Sequence, residues 1–531
     1  MIEPKEVSIL DSNSAWQGVE TSTLMENAGK AMAEEIVAYC DVCRVTFVCG
    51  AGNNGGDGFV AARSINDLGY EVRVVLMKSP ENIGTDLAKN AFQSLPEDVH
   101  TYILGKDLDT SSFGALLSDS DVLVDALLGA GAMGEPRGNY WEAVRIMNGS
   151  GVPIMSVDMP SGIGFEPCIK ARVTVTFHEA KTNMYVDGLP HPYCGEIVVK
   201  DIGIPAAASI YMGSGDLKRY PALPEDAKKG DGGRVLVIGG GPFTGAPALA
   251  SIAALKAGAN LVRVAVPIGI SDTIASYSMD LIVERLRTKD PYRIDAGCLN
   301  RLMELVRWAD CVLVGPGAGN DDETLDTLAR IITYALQEGS RIVVDADGIT
   351  AVSGRFSSTT KMSKTPGHIL FTPHRGELMR LLEGLNVISE GKKISDPYKR
   401  AKGVVIDMNG RLMDAVASFC RSHRAEVLMK GPVDVIVSSE THSLGERIQM
   451  PTKHGIISRR LNDTGHPAMS AGGTGDILSG LCTGFIARGM TTFDAAGLAA
   501  FVNGLAGERT FREIGHSLSA EEMLARIRIE K

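Results

Sequence analysis

The chain has 531 residues, 44% hydrophobic and 22% charged. At roughly 100–200 residues per domain, these figures exclude one ordinary domain and a disordered chain. Aromatic residues make up 5% and the net charge is −11, which argues against stacking on single strands, against nucleic acid in general and against an anionic membrane surface.

The first residues lack the charged and apolar regions of a secretory leader, and no apolar run reaches spanning length; the run at 246–266 is broken by Lys256 and Arg263. No membrane partner is therefore expected. Nine scattered cysteines fit a reducing compartment, so a cytoplasmic location is expected. Cys40 and Cys43 form a lone C-x-x-C, read as two half-buried thiols rather than a metal or redox site.

Glycine is the unusual component, with 60 residues and no Gly-x-y period. Residues 44–48 predict a strand, 50–58 a glycine loop, 59–68 a helix stopped by Gly69, and 72–77 a buried strand. The same order recurs later. Arg234–Ile238 predicts a strand, 239–242 a loop, 246–257 a helix stopped by Gly258, and 261–266 a strand. Two such openings predict two α/β domains, over 1–212 and 231–531, with a Gly-, Pro- and Lys-rich linker at 213–230. Short apolar runs at 121–125, 153–158, 311–314, 341–345 and 426–429 add strands. Asp125, Asp158, Gly315, Asp345 and Lys430 stand at or just past their ends, where open parallel sheets bind ligands. Such residues also simply cap helices or turn the chain.

Gly52-Asn53-Asn54-Gly55-Gly56-Asp57 is not a dinucleotide fingerprint, but its glycines and amides suit an anion and its side-chain oxygens a cation or a ribose. A tight turn would use similar residues. Asp125-Ala-Leu-Leu-Gly129 and Asp158-Met-Pro-Ser-Gly162 add oxygen-rich clusters at the same sheet edge. Together with Leu24-Met-Glu-Asn-Ala-Gly29 and Val173-Thr-Val-Thr-Phe177 followed by Lys181, these motifs resemble the YjeF N-terminal family, the NAD(P)H-hydrate epimerases, over nearly all of 1–205. The resemblance implies a Rossmann-like α/β/α sandwich. It implies that the hydrated coenzyme is bound by Asn53, Asn54, Gly55, Gly56 and Asp57, by Gly129, Ala130, Gly131, Ala132, Met133, Gly134 and Glu135, and by Asp158. It also implies K⁺ held by Asn54, Asp125 and Ser161. Asp158 is the expected acid/base group for interconverting the R and S forms at C6 of the hydrated ring. Lys181 is a further candidate, equally open to a solvated surface role. Ala130 and Ala132 replace the family's usual Thr and Leu, and the stretch 162–172 is shorter than usual.

Ala471-Gly-Gly-Thr-Gly-Asp-Ile-Leu-Ser-Gly480 reads as a helix start that presents amides to a phosphoryl group, with Asp476 placed to take a hydroxyl proton. With Lys229–Gly240, Val314-Gly-Pro-Gly317, Val344-Asp-Ala-Asp347, Thr372-Pro-His-Arg-Gly-Glu377 and Lys430-Gly431, it resembles the YjeF C-terminal family over about 222–525. That family comprises the ADP- or ATP-dependent NAD(P)H-hydrate dehydratases of the ribokinase-like superfamily. The resemblance implies a ribokinase-like α/β/α domain. It implies substrate contacts from Ala246, Gly317, His374 and Asp476, and nucleotide contacts from Lys430, Gly431, Pro432, Val433, Asp434 and Gly475. Pro432-Val433-Asp434, His466 and Ser470-Ala471 depart from the usual pattern.

The implied activity is a bifunctional repair. One domain epimerises hydrated NADH or NADPH; the other dehydrates the S form by phosphorylating its C6 hydroxyl from ADP or ATP with Mg²⁺. A fused chain resembles prokaryotic members, which use ADP. A homo-oligomer is expected. A ribokinase-type vitamin kinase, which shares Gly-x-Gly-Asp, and a non-catalytic scaffold are the alternatives; the Pro-His-Arg-Gly-Glu motif and the retained acidic groups argue against them.

Overall fold

The computed structural model describes residues 1–40, 44–132, 134–356, 367–388 and 410–530. Cys43 and Met133 lie outside the described residues. Two compact units are present: Met1–Ser209 with Ser443–Arg447, and Ile210–His442 with Ile448–Lys531. The expected linker at 213–230 includes a 3-10 helix, Ser214–Arg219. Its Asp216 is fully buried within the second unit, donated to by Arg460 at 2.9 and 3.0 Å. Burial alone would raise the Asp216 pKa; Arg460 and Arg219 outweigh it and hold it at about 2. Composition marked this stretch as a linker because it is rich in Gly, Pro and Lys, while the buried Asp216, ion-paired to Arg460 and Arg219, anchors its first half.

The first unit carries a seven-stranded parallel sheet in the order His100–Ile103, Glu71–Leu76, Arg44–Cys49, Val122–Ala126, Ile154–Val157, Val173–Phe177, Glu196–Lys200. Its central strands are buried and rich in β-branched and apolar residues because both faces are covered. The helix expected at 59–68 starts earlier and spans Asn53–Asp67, so the Asn-Asn-Gly-Gly-Asp run is its first turn rather than a loop. Packing decides this. A Cβ on Gly55 would lie 2.1 Å from the Gly50 carbonyl oxygen, and one on Gly58 2.6 Å from Ala126 Cβ. The glycines let the helix sit close against the strands, which offsets a helix-propensity cost of about 1 kcal/mol each.

The second unit carries a ten-stranded sheet. Seven strands are parallel, in the order Ile282–Leu286, Leu261–Pro267, Arg234–Ile238, Cys311–Val314, Arg341–Val344, Ile369–Phe371, Glu426–Met429. Asp434–Ser438, Gly455–Asn462 and Gln449–Thr452 then extend it antiparallel. Alternate strand residues, among them Leu236, Ile238, Val312 and Val344, pack with Leu302, Ile331, Leu381 and Phe419 in one core. Their neighbours Val235, Val237, Leu313 and Val343 are equally buried, on the other face. The helices Gly245–Lys256 and Thr474–Ala487 pack so closely that a Cβ on Gly480 would lie 2.1 Å from the Ala250 carbonyl oxygen. No helix among the described residues is long and apolar enough to cross a membrane.

Candidate functional site

In the first unit the expected residues converge at the carboxyl ends of the central strands. Asp125, fully buried on the strand Val122–Ala126, accepts from Ser161 N at 2.8 Å, Ser161 Oγ at 2.5 Å and Ser156 Oγ at 2.9 Å. Burial pushes its carboxyl pKa up, against those hydrogen bonds. Ser161 Oγ in turn accepts from Leu128 N at 2.9 Å, tying the 127–132 loop to the Asp-x-Pro-Ser turn. Gly129 packs under Asn54: a Cβ there would lie 2.8 Å from Asn54 Oδ1. Asn54 is buried and its Nδ2 has no hydrogen-bond partner. Ala130 is half-buried against the Met159, Ile163 and Met184 cluster, whereas Gly131, Ala132, Gly134 and Glu135 are exposed.

Asp158 occupies the left-handed region at φ 66°, just past the strand Ile154–Val157. The turn aims its carboxylate at the Lys181 ammonium, with which it is ion-paired. Lys181 is 1% exposed, and its Nζ also donates to Thr176 Oγ1 at 2.9 Å and to the Phe177 carbonyl at 3.1 Å. A solvated surface role for Lys181 is thereby ruled out. Asp57 lies close enough for the charges to act on one another. Burial first, then Asp158 and Asp11, hold the Asp57 carboxyl well above the ordinary range, against the pull of Lys181.

In the second unit, strand ends and two helix starts meet. Lys430 follows the strand Glu426–Met429; its Nζ donates to Asp345 Oδ1 at 2.9 Å and its backbone N to the Pro373 carbonyl at 2.9 Å. Burial disfavours the Lys430 ammonium, but Asp345, Glu377 and Asp476 outweigh it and raise its pKa. Asp476 lies in the first turn of the helix Thr474–Ala487, which begins after Gly473 in the left-handed conformation at φ 93°. Burial first, then Asp345 beside it, pushes the Asp476 carboxyl up to about 7, with Lys430 opposing and Glu377 and Asp347 reinforcing. Backbone amides of such a first turn have no intrahelical acceptor and face outward as an anion site. Gly475 lies close beside Lys430: a Cβ there would be 3.3 Å from Nζ.

His374 is exposed and caps the helix Arg375–Gly384: Nδ1 accepts from Gly376 N at 3.0 Å and Glu377 N at 3.3 Å. With Nδ1 accepting, Nε2 is the ring nitrogen left to donate. Gly317 and Ala246 are brought together, a Cβ on Gly317 falling 3.2 Å from Ala246 Cβ. Residues 430–434 form the turn into the antiparallel strand, with Gly431 and Pro432 exposed and Val433 half-buried. Asp434 accepts from Gly431 N at 3.1 Å and Asn462 Nδ2 at 3.0 Å, and burial raises its pKa to about 6. Cavities of about 550 and 740 Å³ lie around Asp310 at the other end of the strands, and no expected site residue lines them.

A model of the YjeF-related protein N-terminus matches residues 21–183, and a model of NAD(P)H-hydrate dehydratase matches residues 235–528. The bifunctional NAD(P)H-hydrate repair enzyme Nnr of Methanothermobacter thermautotrophicus is 38% identical over 533 residues, covering 99% of this chain and 94% of the relative. The chain belongs to the bifunctional NAD(P)H-hydrate repair enzyme family. Its Hyperthermus butylicus relative is 35% identical over 536 residues, covering 98% and 90%. The ADP/ATP-dependent NAD(P)H-hydrate dehydratase from Bacillus subtilis, co-crystallised with ATP/Mg²⁺, aligns at 19% identity with 60% of this chain and 96% of its own, with a TM-score of 0.42.

Two features of this repair enzyme were not foreseen in the sequence. One is the burial of Lys181 against Asp158; its signal was an aspartate forced into a left-handed turn after a strand, which sequence does not show. The other is the Asp345–Lys430 pair, whose members stand 85 residues apart. Their common signal was position: each lies immediately after a parallel strand.

Proposed function

We infer that the chain is a bifunctional NAD(P)H-hydrate repair enzyme. One unit interconverts the R and S hydrates, and the other returns the S hydrate to NADH or NADPH at the expense of ADP or ATP. The observation that carries this reading is a pair of acid–base centres, one per unit. Asp158 is ion-paired to a buried lysine, and Asp476 has its pKa near neutrality at an amide-lined helix start.

In the epimerase unit, C6 of the hydrate bears both a hydroxyl and the ring nitrogen. Removal of the hydroxyl proton lets the C–N bond open to an aldehyde, and re-addition of nitrogen from the other face inverts the centre. Asp158 takes and returns that proton, and Lys181 and Thr176 fix its carboxylate for the transfer. Asn53 to Asp57 and Gly129 to Glu135, with Asp158, hold the dinucleotide. The donor set of Asn54, Asp125 and Ser161 fits K⁺ in that all three residues are buried and offer oxygens, one of them a carboxylate. Bound K⁺ supplies a fixed positive charge beside the loop.

In the dehydratase unit, Asp476 takes the C6 hydroxyl proton while the hydroxyl oxygen bonds to the terminal phosphoryl group of the nucleotide, whose bond to the bridging oxygen breaks to release AMP from ADP or ADP from ATP. Phosphate then leaves with the C6 oxygen and a proton is lost from C5, restoring the dihydropyridine. Amides at Gly475 and Asp476 receive the phosphoryl charge, Lys430 to Asp434 hold the nucleotide, and Ala246, Gly317 and His374 Nε2–H hold the hydrate. Among the described residues no three His, Cys, Asp or Glu side chains form a metal site. Asp345 and Asp347, whose charges act on Asp476, would hold Mg²⁺ carried by the nucleotide. Mg²⁺ supplies neutralisation of phosphate charge.

The site residues, the choice of ADP, K⁺, a cytoplasmic location and a homo-oligomer are parts of this proposal. The test uses single-site variants of the full chain assayed for both reactions. Asp476→Asn should abolish dehydration and spare epimerisation, and Asp158→Asn the reverse; wild-type rates in both variants would overturn the assignment.

A further inference from the structure

We propose that Thr85 is a positioning residue of the hydrate site, which turns the Asn53 amide so that it presents only donors to an anionic or carbonyl oxygen of the dinucleotide. The inference rests on the reading of Asn53 to Asp57 as the binding loop. Thr85 caps the helix Asp86–Gln93, its Oγ1 accepting from Ala88 N at 3.2 Å. The same hydroxyl lies 2.6 Å from Asn53 Oδ1. A hydroxyl has one proton. With the Ala88 N–H occupying a lone pair of Oγ1, that proton goes to the Asn53 oxygen. The carboxamide is thereby held with its oxygen toward Thr85 and both Nδ2 protons turned away from it.

The neighbouring backbone holds the loop at the same place. Gly84 N donates to the Ala51 carbonyl at 2.7 Å, and Ala51 N donates to Tyr140 Oη at 3.1 Å. Asn53 is the first residue of its helix, and Gly52, its cap, supplies no side-chain acceptor. The exposed Asn53 amide therefore adds two side-chain donors to the outward-facing N–H groups of the first turn. Such a set recognises oxygen acceptors and disfavours a donor. Without the Thr85 proton the amide is free to flip and present its oxygen to the ligand, which repels it.

The experiment is a double-mutant cycle in the full chain, measuring KM and kcat for epimerisation of the hydrated dinucleotide, with the thermal melt of the first unit in each preparation as a folding control. Asn53→Ala should raise KM about tenfold with kcat little changed, the scale of one hydrogen bond to a charged group, and Thr85→Val should raise it by a smaller factor, about twofold. Thr85→Ser, which keeps the hydroxyl, should match the wild type. Thr85→Val should add nothing in the Asn53→Ala background, which a mere loss of the helix cap would not produce. An unchanged KM for Thr85→Val beside a raised one for Asn53→Ala, or full additivity, overturns the proposal. An unchanged KM for Asn53→Ala overturns the reading of the loop itself.

Discussion

Replacing Asp476 by Asn should abolish dehydration while making the nucleotide-free protein more stable above neutral pH. The Asp476 carboxyl is raised from 3.8 to about 7, first by burial and then by Asp345. At about 1.36 kcal/mol per pKa unit, ionising it in the fold costs roughly 4 kcal/mol more than in the unfolded chain. The side chain retains partial exposure, so solvent screening reduces this to about 2 kcal/mol. Between 3.8 and about 7 the folded state holds a proton that the unfolded state has released. Stability from this group is therefore full below the lower value and is lost as pH rises through the upper one. An asparagine carries no such penalty. Thermal melts of wild type and Asp476→Asn should differ least near pH 4, and the variant should gain progressively to pH 8, by a few degrees. The dehydratase rate of the variant should fall by about 10²–10⁴, the usual share of a general base, and the wild-type rate should rise with pH through about 7 as the carboxylate forms. A variant that melts lower at pH 8 than the wild type, or that keeps its dehydratase rate, would refute the reasoning.

Lys181→Met should abolish epimerisation and spare dehydration; it also leaves Asp158 buried without its partner, so the first unit should lose roughly 3–5 kcal/mol, read as an earlier melt of that unit alone. Replacing K⁺ by Li⁺ should slow epimerisation in the wild type, and Asp125→Asn should remove that ion dependence; equal rates in both salts would count against the Asn54, Asp125 and Ser161 set. Gly480→Ala places a methyl group 2.1 Å from the Ala250 carbonyl oxygen and should destabilise the second unit by about 1–3 kcal/mol in denaturant unfolding, with epimerisation unaffected.

The sequence made the two α/β units, most parallel strands and the positions at strand ends legible, because buried parallel strands are continuous apolar runs with abrupt polar ends. It misplaced the start of the first helix by six residues, since a run of Asn, Gly and Asp has turn propensity and only the close approach of Gly55 and Gly58 to the strands makes it helical. The antiparallel extension beyond Glu426–Met429 was not foreseen, because strands such as Gly455–Asn462 carry arginines that alternation alone does not place. The positions of Asp125 and Asp158 at strand ends, and of Asp476 at a helix start, were legible in the sequence. The environments that bear on their chemistry were not. Lys181 beside Asp158, and Asp345 and Lys430 beside Asp476, come together only through the order of strands in each sheet.

The most direct measurement supplies pure R hydrate, then pure S hydrate, to the wild type and to Asp158→Asn with ADP or ATP, and follows the return of the reduced coenzyme's absorbance. The account predicts that the wild type recovers both hydrates, that Asp158→Asn recovers S at the wild-type rate and R only as fast as it epimerises without a catalyst, and that nothing is recovered without nucleotide. Equal recovery of R and S by Asp158→Asn, or recovery in the absence of nucleotide, would contradict it.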